Sequence, residues 1–175
     1  MSKKTLVIVI HPNLEKSRIN KRLAEELSEA ENVTVHRLHE AYPDEVIDVE
    51  HERRLVEVHD RVVLQFPFYW YSSPYLLKKW LDLVLQMGWA YGPGGDKMEG
   101  KELAIAISTG GAADAYQAGG FHHYSISELL RPFQATANRV KMIFKAPFVV
   151  NGIREVSDEE LETKAAQYAA FVVQP

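Results

Sequence analysis

The chain has 175 residues, of which 46% are hydrophobic and 25% are charged, and its formal net charge at pH 7 is −4. This length and composition predict one globular domain, residues 1–175, with a full hydrophobic core, and the mild negative charge argues against nucleic acid or an anionic membrane surface as a partner. Because the chain has no cysteine, disulfides, thiol catalysis and cysteine-ligated metals are excluded.

The first half of the chain alternates short apolar runs with helical patterns. Residues 5–10 are nearly all apolar and rich in β-branched side chains, which predicts a strand buried on both faces of a parallel sheet. This run is too short for a signal peptide or a membrane span, so we expect a cytoplasmic protein. The next predicted elements are a helix capped by Ser17, a strand at 33–38, a helix at 48–59 and a strand at 61–66.

The second half continues the alternation of helices and strands. The pair Ser73-Pro74 predicts a helix start with proline at the first helical position, and Gly88 can end that helix. The remaining predicted elements are a Gly/Pro-rich loop at 89–100, a strand at 102–108, helices opened by capping boxes at 125–128 and 157–160, and a strand within 141–150 that contains Pro147.

Strands that alternate with helices in this way predict an α/β fold. We expect a flavodoxin-like, doubly wound sheet of five parallel strands in the order 2-1-3-4-5, with helices on both faces. In this order a ligand binds at the carboxyl ends of strands 1, 3 and 4. Three unusual loops follow these same strands, so we expect them to meet at one ligand-binding edge.

The loop after the first strand ends at a predicted helix N-terminus. Unpaired backbone amides and the Ser17 hydroxyl can hold a phosphate there, although Ser17 can also act as a helix cap alone. No GxGxxG or Walker A pattern occurs, so neither a Rossmann dinucleotide site nor a P-loop is expected. The candidate phosphate-binding residues are His11, Ser17, Arg18, Ile19 and Asn20.

The loop after the third strand concentrates aromatic side chains at the same edge. A flat ligand would suit this surface, and a hydrophobic dimer patch or simple core packing are the alternatives. The candidate ligand-binding residues are Pro67, Phe68, Tyr69, Trp70 and Tyr71.

The loop after the fourth strand offers hydroxyls and glycines, and glycine lets a backbone approach a ligand closely. The candidate binding residues here are Ser108, Thr109, Gly110 and Gly111. Further along, a phenol at Tyr116 or an imidazole at His122 or His123 can hydrogen-bond a carbonyl and stabilise negative charge. A simple turn followed by a mobile polar loop is the alternative interpretation.

Two other kinds of site find little support in the sequence. The pairs His36/His39 and His122/His123 lack an HExxH pattern or a surrounding carboxylate triad, so no metal site is expected. No GxSxG pattern occurs, which argues against a serine hydrolase.

A series of short motifs runs in a fixed order from residue 4 to about residue 152. The motifs are His11-Pro12 with Ser17 and Asn20, residues 67–71 with Ser73-Pro74, residues 76–80, residues 88–92 with Gly94-Gly95, Gly100-Lys101, residues 109–111 and residues 130–132. With this set the chain resembles the flavodoxin-like NAD(P)H:quinone oxidoreductase family. It is most similar to the short bacterial members, which include ancillary subunits of glutathione-gated potassium efflux systems and general-stress-type reductases.

The resemblance implies non-covalently bound FMN, with FAD as the alternative, in a homodimer whose active sites lie at the subunit interface. Residues 17–20 and His11 would hold the flavin phosphate region, and residues 68–71 and 108–111 would surround the isoalloxazine. Tyr116 would lie near the O2/N1 edge of the flavin. His122 would take the place of a family histidine that assists charge relay, although residues 117–121 depart from the family pattern.

The implied reaction is a ping-pong reduction of quinones or similar flat electrophiles by NAD(P)H, with Tyr116 and His122 as the catalytic residues. Trp89 and Tyr91 would form part of the pocket wall, in this chain or from its partner. Two rival functions are a regulatory module that binds a membrane potassium-efflux transporter and a one-electron flavodoxin-type carrier. The mild net charge disfavours the carrier, since such carriers are usually strongly acidic.

Overall fold

A parallel sheet lies at the centre of the computed structural model, which describes residues 3–174. Met1, Ser2 and Pro175, which the single-domain expectation also included, lie outside the described residues. The strands are β1 (Thr5–Val9), β2 (Val33–Arg37), β3 (Arg61–Pro67), β4 (Glu102–Ser108), β5 (Ile143–Phe144) and β6 (Phe148–Val150).

Seven α-helices connect or follow these strands within residues 3–174. They are α1 (Arg18–Glu26), α2 (Leu38–Ala41), α3 (Val49–Glu57), α4 (Tyr75–Val84), α5 (Ile126–Leu129), α6 (Arg131–Arg139) and α7 (Asp158–Val173). In the described part of the chain, none of these helices combines the length and the apolar composition needed to cross a membrane.

The strand order β2-β1-β3-β4-β5 confirms the predicted flavodoxin-like topology, and every pairing in the sheet is parallel. The β3–β4 register continues to the last residues of both strands, where Pro67 lies opposite Ser108. Because parallel strands end on the same side of a sheet, the loops after β1, β3 and β4 leave from one edge.

Helices cover both faces of the sheet, as predicted. On one face Leu64 and Ile105 pack in a core with Trp80 of α4 and Phe133 of α6. On the other face smaller strand residues, including Ala104 and Ala106, pack with α1 and α7. Burial on both faces explains why the central strands are continuously apolar rather than alternating with polar residues.

Several element boundaries differ from the sequence prediction, and two of the differences in the helices involve proline. The single helix expected after the capping box at 125–128 is divided at Leu130 into α5 and α6. The division lies just before Pro132, which has no N–H to donate to the preceding turn. Pro74 is the N-cap of α4 rather than its first helical residue. Residue 38, predicted as strand, begins α2, and α4 ends at Val84, before Gly88.

The strand predicted within residues 141–150 is divided into β5 and β6, and both pieces pair with β4. Leu103 pairs with Phe144, but Ala106 pairs with Phe148. Between these two pairs the segment that joins β5 to β6 therefore has one residue more than β4. Pro147 lies in this interruption and cannot donate to a ladder, which limits how far the strand can be continuous.

A buried carboxylate connects β2, α3 and α4. Glu52 is fully buried, and its two oxygens accept hydrogen bonds from Tyr42 Oη at 2.7 Å, Trp80 Nε1 at 2.7 Å and His36 Nε2 at 2.8 Å. Burial alone would raise the pKa of the Glu52 carboxyl. The hydrogen bond and the charge of His36, together with the hydrogen bonds from Tyr42 and Trp80, hold this pKa below its ordinary value.

We expect Glu52→Gln to lower the free energy of unfolding by about 3 kcal/mol at pH 7, because three donors, two of them buried, would lose a carboxylate acceptor. The folded-state pKa is lowered, so this stabilisation is complete above the ordinary glutamate value of about 4.5. It is lost as pH falls through the folded-state pKa, and the difference from wild type should shrink there. Urea unfolding across this pH range measures the effect.

Glu50→Gln on the exposed side of the same helix is the control, since its surface ion pair with Arg53 should contribute less than about 1 kcal/mol. Equal losses in the two variants would contradict a special role for the buried carboxylate.

Candidate functional site

Three loops leave the carboxyl edge of the sheet side by side. The backbone of Ile10, just after β1, donates to the carbonyl oxygen of Gln65 on β3 at 2.8 Å. The backbone of Phe68, just after β3, donates to the carbonyl oxygen of Ser108 on β4 at 2.9 Å. Main-chain hydrogen bonds therefore hold the starts of the three loops together.

The N-terminus of α1 faces this edge and has free donors. Ser17 caps the helix by accepting from the backbone N–H of Asn20, and Asn20 Nδ2 donates to Ser108 Oγ at 2.9 Å. The backbone amides of Arg18 and Ile19 donate to no acceptor among residues 3–174. Free amides at a helix N-terminus are suited to bind an anion such as phosphate.

A buried polar chain holds the first turn of α1 in place. Tyr168 of α7 donates its hydroxyl to Gln65 Oε1 at 3.0 Å, and Gln65 Nε2 donates to the carbonyl oxygen of Asn20 at 2.8 Å. All three residues are buried, and Asn20 Oδ1 has no hydrogen-bond partner among the described residues. Neither Gln65 nor Tyr168 is among the predicted site residues, although a glutamine inside an otherwise apolar strand is a signal of a buried hydrogen-bonded group.

Arg18 and His11, two of the predicted phosphate residues, differ in their availability. The Arg18 guanidinium donates to Asp158 Oδ1 at 2.5 Å and to the carbonyl oxygen of Val156 at 2.7 Å, so its side chain is directed to the start of α7. His11 Nδ1 accepts from the backbone N–H of Asn13 at 3.0 Å. Burial, with a smaller effect of nearby His39, lowers the pKa of His11. His11 therefore offers a neutral Nε2–H donor.

The aromatic loop forms a tight turn after β3. Tyr69 and Ser72 exchange two backbone hydrogen bonds, at 3.0 and 2.9 Å, around Trp70 and Tyr71. Both central residues have left-handed backbones, with φ of 47° and 63°, a conformation that usually selects asparagine or glycine and costs on the order of 1–3 kcal/mol for other residues. Trp70 is 93% exposed, so its ring lies outside the core.

The loop after β4 combines buried hydroxyls with an open glycine. Ser108 and Thr109 are buried, and Thr109 Oγ1 lies 2.9 Å from both Gly111 O and Asn151 Oδ1. A Cβ added at Gly110 would meet nothing within 4 Å. One at Gly111 would lie 2.8 Å from His122 Nε2 and 3.1 Å from Tyr116 Cε2. Gly110 thus leaves room for a ligand, whereas Gly111 leaves room for two of the chain's own rings.

The two predicted catalytic residues lie together at this edge. The rings of Tyr116 and His122 stack with centroids 4.3 Å apart, and Phe68 lies 6.5 Å from Tyr116. His122 Nδ1 lies 3.1 Å from the hydroxyl of Tyr71, so the aromatic loop contacts the loop after β4. His123 is exposed and has a left-handed backbone.

Trp89 and Tyr91, expected in the pocket wall, have other partners within the chain. Trp89 is largely buried, donates from Nε1 to Glu57 Oε1 at 2.8 Å and lies beneath the Arg53 guanidinium. Tyr91 is half-buried, with the Arg139 guanidinium 4.6 Å from its ring centre. The polar atom and one face of the Trp89 ring are therefore already in use within the chain.

These features fit a ligand with an anionic end and a flat, uncharged end. Free amides at the start of α1 suit a phosphate, and the space above Gly110 beside exposed aromatic rings suits a planar ring. Among residues 3–174, no group of three His, Asp or Glu side chains lies close enough together to hold a metal ion.

Comparison with known proteins identifies relatives over nearly the whole chain. A family model described as flavodoxin-like fold matches residues 3–172. General stress protein 14 of Bacillus subtilis (strain 168) is 53% identical over 172 residues, which cover 98% of each chain. An uncharacterised NAD(P)H oxidoreductase of the same strain, YdeQ, is 50% identical over 97% of this chain and 86% of its own length. The potassium-efflux ancillary protein KefG of Cronobacter sakazakii is 40% identical, over 98% of this chain and 94% of KefG.

Solved structures agree with this relationship. General stress protein 14 of Treponema denticola, in complex with FMN, has a TM-score of 0.93 at 40% identity, covering 97% of both chains. An NADPH-quinone reductase from P. pentosaceus has a TM-score of 0.91 at 36% identity, covering 98% of this chain and 99% of that one. A structure described as a thermophilic tryptophan halogenase from Streptomycin violaceusniger has a TM-score of 0.96 at 50% identity, covering 97% of this chain and 99% of that one.

We expect Gly111→Ala to displace the His122 and Tyr116 rings, because the new Cβ would lie within contact distance of both. The cost in stability should be about 1 kcal/mol, and the imidazole signals of His122 in NMR spectra should shift. Gly110→Ala is the matched control, since its Cβ enters open space. If both variants leave the His122 signals unchanged, the close packing on Gly111 is wrong.

Proposed function

Because this chain belongs to the flavodoxin-like fold family, we propose that it is an FMN-dependent NAD(P)H oxidoreductase that reduces quinones or similar flat electrophiles. The observation that carries the proposal is the meeting of three loops at one edge, with free amides beside an open glycine and exposed aromatic rings. Relatives described as an NAD(P)H oxidoreductase, as an NADPH-quinone reductase and as an FMN complex support it.

In this proposal the start of α1 binds the FMN phosphate. The amides of Arg18 and Ile19 and the hydroxyl of Ser17 supply donors, and the positive end of the helix dipole adds to the attraction. The Arg18 side chain is compensated by Asp158, so the backbone supplies most of the binding there. FMN is preferred over FAD because the T. denticola relative is described with FMN.

The flat part of the cofactor is assigned to the two loops that follow β3 and β4. Phe68, Tyr69, Trp70 and Tyr71 would contact one side, and the Ser108–Gly111 backbone would contact an edge, where Gly110 gives close access. The exposed aromatic rings limit the access of water once a second flat molecule lies against them.

The chemistry that bound FMN supplies is two-electron hydride transfer between NAD(P)H and a quinone-like acceptor. The chain contributes hydrogen-bond donors that are already oriented before the reaction begins. The Tyr116 hydroxyl and the His122 imidazole are held by mutual stacking at 4.3 Å, so they can stabilise negative charge without reorganisation.

We further propose that the chain acts as a homodimer in the cytoplasm. Trp70 is 93% exposed and Phe121 is 82% exposed at the edge that carries the candidate site. Large apolar side chains in such numbers are usually covered by a partner or a ligand.

A second function is favoured by the 40% identity to KefG. In that role the chain would bind a membrane potassium-efflux transporter and regulate it, with or without catalysis. Co-purification with a co-expressed transporter would support this role, while NAD(P)H oxidation by the isolated protein supports the enzyme.

The purified protein should bind one equivalent of FMN per chain, and NAD(P)H should bleach the flavin absorbance until a quinone restores it. Calorimetry and anaerobic absorbance titration measure these two steps. Protein that takes up no FMN would refute the proposal. Accumulation of a stable one-electron form would instead indicate a carrier.

We expect Tyr116→Phe to reduce turnover about 10-fold while the dissociation constant of FMN stays within about twofold, because the lost hydroxyl acts on charge that develops during the reaction. Steady-state kinetics and FMN titration separate these effects. Unchanged turnover would remove Tyr116 from the mechanism.

A further inference from the structure

Tyr71 and His122 form the one side-chain hydrogen bond between the loop after β3 and the loop after β4 within residues 3–174. The Tyr71 hydroxyl lies 3.1 Å from His122 Nδ1, and the two rings meet edge to face with centroids 5.4 Å apart. The residues are 51 positions apart in the sequence, so this contact exists only because β3 and β4 are neighbours in the sheet.

The His122 ring is held from several sides, and its two nitrogens have different surroundings. Tyr116 stacks on it at 4.3 Å, and Phe121 contacts its edge at 5.1 Å. The backbone N–H of His122 donates to the carbonyl oxygen of Ala115 at 2.9 Å. Nδ1 faces Tyr71, while Nε2 lies 2.8 Å from the position of a Cβ on Gly111. Nε2 therefore points at the turn after β4.

The backbone of the aromatic turn is left-handed at Tyr71 and at the residue before it. Trp70 and Tyr71 have φ of 47° and 63°, where glycine or asparagine would be favoured. Glycine would relieve this strain but would provide no side chain to reach the imidazole. Strained backbones persist mainly where function or surrounding contacts require them. The strain is thus an independent indication that the Tyr71 side chain has a role at this edge.

We propose, building on the function proposed above, that Tyr71 is a positioning residue for His122. Its phenol donates to Nδ1 and so keeps the imidazole proton on Nε2, the nitrogen that faces the turn after β4. An imidazole in which one nitrogen accepts a hydrogen bond carries its proton on the other nitrogen. Tyr71 would thereby direct the Nε2–H donor of His122 toward the turn after β4, which the proposed function assigns to the cofactor.

The tautomer of His122 can be measured without cofactor or substrate. In ¹⁵N-histidine-labelled apoprotein, NMR should show His122 protonated at Nε2 and unprotonated at Nδ1 at neutral pH. Tyr71→Phe keeps the ring and removes the hydroxyl, and the tautomers should then mix. Wild-type protein with the proton on Nδ1, or a Tyr71→Phe variant with an unchanged tautomer, would overturn the proposal.

Tyr124→Phe is the matched control for this measurement. Tyr124 is exposed, lies two residues after His122, and its hydroxyl makes no hydrogen bond to residues 3–174. The control should keep the wild-type tautomer and the wild-type turnover. A control that changes the His122 signals as much as Tyr71→Phe would show a general response of the loop and would contradict a specific role of Tyr71.

Kinetics of the FMN-loaded enzyme provide the second test. Tyr71→Phe should lower kcat roughly 10-fold, with KM for NAD(P)H within about twofold of wild type. In the background of His122→Ala, the same change should cause no further loss, because Tyr71 acts through His122. Additive losses would overturn the proposal. Wild-type protein that binds no FMN would refute the proposed function instead, while the apoprotein spectra would still decide the contact.

Discussion

Parallel pairing of β1, β3 and β4 is the constraint on which the rest of this structure depends. It places the ends of three strands along one edge, and the β3–β4 register holds through Pro67 and Ser108. The free amides at the start of α1, the aromatic turn and the open glycine are therefore neighbours in space, although about 90 residues separate Ser17 from Gly111. Each of these sequence motifs is a weak indication of a binding site by itself. Together they indicate one candidate site because the sheet places them side by side.

Burial of the sheet on both faces makes each buried polar group depend on a partner. Gln65 lies inside the apolar strand β3, yet both ends of its amide are hydrogen-bonded, one to Tyr168 and the other to Asn20. Glu52 on the opposite face of the sheet is satisfied by three donors. The Glu52 cluster connects elements of the scaffold, whereas the Gln65 chain ends at the first turn of α1 and so supports the candidate site directly.

The backbone is more strained in the loops at the carboxyl edge of the sheet than in the central strands. Two aromatic residues adopt left-handed backbones in the turn after β3, and Trp70 exposes nearly all of its side chain to solvent. These features are unfavourable for the isolated chain, and the stable sheet below them can offset their cost. The same arrangement leaves flat surfaces free for a ligand or a partner and brings Tyr71 within hydrogen-bonding distance of His122.

Local patterns in the sequence predicted the strands and helices and the three loops of the candidate site, and the alternation of strands with helices predicted the strand order. Apolar runs, caps and turn residues act within a few positions, so their effects can be read locally. Only the tertiary structure decided that Arg18 is directed to Asp158, that Trp89 is buried beside Glu57, and that Gln65 supports Asn20. Each of these contacts joins residues at least 32 positions apart in the sequence, and their side-chain directions depend on how complete helices pack on the sheet.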